Sequence, residues 1–83
     1  MTDEEFDVLD ELYFVISFEE LKEATMMPPD KLVNVLLSIY EKGWVKVMET
    51  VDDELPESQI DLINRASDYI FLATKSGLLA HNS

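Results

Sequence analysis

Hydrophobic residues recur along this chain first with a helical period and later with the period of a strand. Phe6, Leu9, Leu12, Tyr13 and Ile16 fall three or four apart with acids between them, which predicts a helix from Asp3 to about Ile16. Acids in its first turn suit the positive end of the helix dipole. Ser17-Phe18-Glu19-Glu20 is a capping box. The Ser17 hydroxyl accepts from the Glu20 amide, and the Glu20 carboxylate accepts from the Ser17 amide. A short second helix should follow from Phe18 to about Ala24, burying Phe18, Leu21 and Ala24. Thr25-Met26-Met27-Pro28-Pro29 makes a turn. Proline at a first helical position loses no hydrogen bond, so a third helix should start near Pro29 and end at Lys42, with Gly43 as its left-handed stop. Residues 17–43 therefore read as a helix-turn-helix.

Trp44 to Glu49 has the alternation of a strand, and Tyr69 to Ala73 is a second strong strand. The stretch 50–68 between them is long. Its middle, Pro56 to Ala66, fits a short helix, and a strand at Ile60 to Ile63 fits nearly as well. Thr74 is placed to cap a last helix from Lys75 to His81. The length bounds the whole as one domain, residues 1–83.

Two landmarks stand out: Tyr40-Glu41-Lys42-Gly43-Trp44-Val45 and Tyr69-Ile70-Phe71-Leu72-Ala73-Thr74-Lys75-Ser76-Gly77-Leu78. In this order, behind a short capped helix, they resemble winged helix-turn-helix domains of the MarR and PadR type over roughly Phe6 to Asn82. The resemblance implies an α+β fold: a three-helix core, a two- to three-stranded antiparallel wing and a short C-terminal helix. Residues 50–68 would be a long wing insertion. It also implies a third helix in the major groove and a basic wing on the phosphates. The outward positions of that helix would be Asp30, Lys31, Val33, Asn34, Leu37 and Ser38. Of these Lys31, Asn34 and Ser38 suit DNA, with Lys42, Lys46 and Lys75 completing a small basic set.

Charge argues the other way. Asp and Glu outnumber Lys and Arg by 18 to 6, a formal net charge of −12. Duplex DNA carries one negative charge per about 1.7 Å. The expected wing tip, Asp52-Asp53-Glu54, is acidic, so the groups that would position phosphates are missing. Residues 1–30 hold ten acids and one base, Lys22, whereas residues 31–83 hold eight acids and five bases. The first two helices thus carry most of the field, as a solubilising face or as a docking face for a basic partner. At 47% hydrophobic the chain is globular and not an acidic tail. The acidic N-terminus lacks the pattern of a signal peptide. Apolar runs such as Tyr13 to Ile16 are far short of the ~20 residues of a membrane span. The expectation is a cytoplasmic protein.

The third helix carries more apolar surface than a core contact needs. At about 100° per residue its apolar residues fill an arc of about 200°, against the 100° or so of a packed stripe. Leu32, Leu36 and Ile39 supply the stripe, and Val33, Leu37 and Tyr40 form a surplus edge. Three fates are open for that edge: cover by Leu55, Ile60, Leu62 or Ile63 of the insertion, a partner or second copy of the chain, or exposure. Catalytic chemistry is not in sight. The chain has no cysteine, and its single histidine, His81, is expected in solvent near the C-terminus. No catalytic, cofactor-binding or metal residue is expected. The favoured reading is a non-enzymatic regulatory module that binds a protein partner or itself through Val33, Leu37 and Tyr40. The alternative is a DNA-binding transcriptional regulator using Lys31, Asn34, Ser38, Lys42 and Lys46; an acidic DNA mimic is a third.

Overall fold

Thr2 and Glu5 begin the first helix by bonding each other's backbone. The Glu5 amide donates to Thr2 Oγ1 (3.1 Å) and the Thr2 amide donates to Glu5 Oε1 (2.8 Å). In the computed structural model, which describes residues 1–83, this helix α1 covers only Asp3–Asp10. The expected extension to Ile16 does not form. Ile16–Ser17 instead make a two-residue strand, β1, paired with Phe71 and Ile70, and the Ala73 amide donates to the Leu12 carbonyl (2.9 Å). The buried face of α1 shifts accordingly. Val8, Leu9 and Leu12 are in the core, and Phe6 and Tyr13 are left exposed.

Ser17 and Glu20 form the expected capping box at the start of α2 (Phe18–Thr25). Ala24 is exposed, and Met27 takes the core position expected of it. The turn passes through Met26 in the left-handed region (φ 58°) into α3 (Pro29–Glu41), with Pro29 at its first position. Gly43 (φ 76°) then stops α3: its amide donates to Tyr40 and the Trp44 amide to Ile39, the paired 5→2 and 6→1 bonds of a Schellman motif.

The sheet has four antiparallel strands, not the two or three expected, in the order β1-β4-β2-β3. β2 (Val45–Thr50) pairs along its length with β4 (Ile70–Ala73), Val45 opposite Ala73 and Val47 opposite Phe71. These four residues face the core. β3 (Asp53–Glu54) turns back on β2, so the acidic tip is a hairpin. The chain then makes a 3₁₀ turn at Glu57–Gln59, a single-turn helix α4 (Leu62–Arg65) capped by Asp61, and a second 3₁₀ turn at Ala66–Asp68. Tyr69 fastens this insertion. Its ring is 1% exposed, and its hydroxyl accepts from the Asp61 amide (3.0 Å) and donates to the Gln59 carbonyl (3.4 Å).

The two sequence landmarks meet in space. Thr74 caps α5 (Lys75–His81) by accepting from the Gly77 amide (3.0 Å), and its hydroxyl donates to the Gly43 carbonyl (2.6 Å). A Cβ at Gly77 would overlap the Trp44 carbonyl oxygen, so only glycine lets α5 lie this close to the start of β2. Five helices thus pack with one antiparallel sheet around a core cluster of 17 residues, an α+β domain. No helix is long and apolar enough to cross a membrane.

Candidate functional site

The surplus edge of α3 is partly covered. Val33, Leu37 and Tyr40 are half-buried against the core, together with Leu55 and Ile60 of the insertion. Leu37 and Tyr40 share one cleft with Ile60 and Leu62, and Val33 shares another with Phe18, Ile63 and Ala66. Burial raises the Tyr40 hydroxyl pKa above its usual value of 10.0, and the charges of Glu57 and Glu54 raise it further. Ile60 and Leu62 of the insertion stand beside this edge and leave it half-buried, while Ile63 is 72% exposed. Val33, Leu37 and Tyr40 thus remain partly exposed at the rims of these two clefts.

Of the residues that suited DNA, Lys31, Asn34 and Ser38 line one cleft with Glu4 and Glu5, and Ser38 and Lys42 are already engaged there. Glu5 is the reason. Its side chain is 3% exposed, and its Oε2 accepts from both Ser38 Oγ and Lys42 Nζ, each at 2.6 Å. Burial alone would raise the Glu5 pKa. The hydrogen bonds from Lys42, Ser38 and the Thr2 amide outweigh it and bring the carboxyl from 4.5 to about 2. Lys42 also lies over the Trp44 ring, 4.9 Å from its centroid. Lys31 faces Glu4 at 3.8 Å, and Asn34 is exposed. Lys46 sits on β2 opposite Leu72. α3 therefore presents no continuous cationic strip. Thr2-x-x-Glu5 was readable as a capping box. That the same carboxylate reaches Ser38 and Lys42, 33 and 37 positions away, was not.

A different face is open. Phe14 is 83% exposed, Phe6 45%, Val15 42% and Tyr13 39%. His81, expected in solvent, lies beneath this group with its side chain 9% exposed. Its ring stacks on Phe6 (centroids 4.3 Å apart) and meets Tyr13 edge-on (5.3 Å). The Tyr13 hydroxyl is 2.7 Å from His81 Nδ1 and accepts from the Asn82 side-chain amide (3.0 Å), while His81 Nε2 is 3.3 Å from Asp10 Oδ1. No group of three or more His, Cys, Asp or Glu side chains stands close enough to hold a metal ion. Comparison of the chain with models of protein families, with curated proteins and with solved structures gives no match.

Two outcomes follow. Replacing Val33 and Leu37 together by Glu puts two carboxylates under the insertion and should lower stability by at least about 3 kcal/mol, read as an earlier thermal melt by circular dichroism. An unchanged melt would mean that the edge is open. For Glu5 the folded pKa lies below the unfolded one, so its contribution is complete above pH 4.5 and is lost as the pH falls through about 2. Lys42 is 42% exposed, so solvent screens the pair and the contribution is on the order of 2 kcal/mol. Urea unfolding should show wild type more stable than Glu5→Gln by that margin at pH 7, with the gap mostly closed at pH 2. A gap independent of pH would contradict the assignment.

Proposed function

We propose that this domain is a non-enzymatic interaction module of winged-helix type, acting in the cytoplasm in a regulatory role by binding a protein. The order of elements supports the winged-helix part of the reading. A capped α2, a tight turn and α3 lead into a β2–β3 hairpin, and the long pairing of β2 with β4 closes the sheet. The observation that carries the functional part is the state of α3. Its Ser38 and Lys42 are bound to a buried carboxylate, and its apolar edge lies under the insertion. The hairpin tip that would straddle phosphates is Asp52-Asp53-Glu54. A helix so engaged acts as a structural strut, and the binding role passes to the exposed aromatic face beside α1.

The test is retention of the protein by a pool of random-sequence duplexes at ~50 mM salt, where even a few phosphate contacts give measurable affinity. No retention is expected. Retention that falls steeply as salt rises would overturn the protein-binding reading in favour of a DNA-binding regulator.

A further inference from the structure

We infer that the face formed by Phe6, Tyr13, Phe14 and Val15 docks a cationic segment of another protein, one that carries apolar side chains among lysines or arginines. The inference rests on the interaction-module reading and names the surface and the partner's chemistry. Single exposed apolar residues are ordinary. Two of these four are held, since Phe6 and Tyr13 both pack on His81, and the exposed Phe14 and Val15 follow Tyr13 directly in the chain. The bond from Asn82 to the Tyr13 hydroxyl and the stacked imidazole fix two of the rings before any partner arrives, so little side-chain freedom remains to be lost on binding.

The rim states the sign of the partner. On α1, Asp3 and Asp10 stand three residues before and four after Phe6, beside it on the helix surface. Asp7 and Glu11 extend the same acidic surface. Asp3, Asp7 and Glu11 have no cationic side chain within ion-pair distance, and Asp10 has only His81. The last turn of α1 holds no base, so the negative end of its dipole adds to this field. A cation here meets free carboxylates and a helix C-terminus together, while the aromatic group beside them takes an apolar anchor. A second copy of the chain would bring the same acids face to face, and nucleic acid would be repelled in the same way.

The probe is a synthetic amphipathic peptide of about 18 residues, five helical turns, with leucine on one face and lysine elsewhere. It is titrated into the ¹⁵N-labelled chain, beside a peptide with serine in place of each leucine. The expected result is amide shifts confined to residues 6–15 and 81–82, with the serine peptide at least about tenfold weaker. Phe14→Ser should weaken the leucine peptide by a similar factor with an unchanged melt. Asp7→Asn combined with Glu11→Gln should weaken it too, with every aromatic ring retained. Shifts spread evenly over the acidic surface, or binding indifferent to Phe14→Ser, would overturn the inference. Those results would leave the module reading standing, since that reading fails separately, by retention on duplex DNA.

Discussion

The carboxylate of Glu5 is the contact on which the rest of this domain turns. It closes the start of α1 through Thr2 and ties α1 to α3 through Ser38 and Lys42. A buried charge is tolerable only when its lone pairs are met, and here an ammonium, a hydroxyl and a backbone amide meet them. Two consequences follow from one side chain. The first and third helices are held in a fixed relation, and two polar side chains at the end of α3, Ser38 and Lys42, are taken up by an internal partner.

The opposite flank of α3 is closed by different physics. The insertion has little regular structure of its own, and it is anchored by Tyr69, whose buried hydroxyl bonds the backbone at Gln59 and Asp61. That anchor lets Leu62 and Ala66 join the core and brings Leu55 and Ile60 against it. The Gly77–Trp44 approach fixes the other end, where α5 lies on the start of β2 and carries His81 back to α1. Phe6, Tyr13, Phe14 and Val15 are exposed away from α3, as are Met26, Val51, Ile63 and Leu79 singly elsewhere.

Local chemistry was legible in the sequence and long-range partnership was not. Ser17 with Glu20, Pro29, Gly43 and Thr74 each solve a problem within four residues of themselves, and each marks the boundary it was expected to mark. β1 escaped because Ile16 continues a helical spacing and Ser17 caps α2, and only Phe71 and Ile70, more than fifty positions on, draw them into the sheet. His81 was read as a tail residue because nothing near it in sequence encloses it; Phe6 and Tyr13 do so from the other end of the chain. The arc on α3 marked apolar surface beyond the core stripe, and that surface is half-buried. Whether the cover was internal depended on the path of residues 50–68, which no periodicity sets.

That the insertion packs on the Val33, Leu37 and Tyr40 edge of α3 is the central claim, and nuclear Overhauser contacts in solution measure it directly. Cross-peaks should join the Ile60 and Leu62 methyl groups to the Tyr40 ring and the Leu37 methyls, as their shared cleft requires. A spectrum of the folded chain in which residues 50–68 show no contact with α3 would contradict the account.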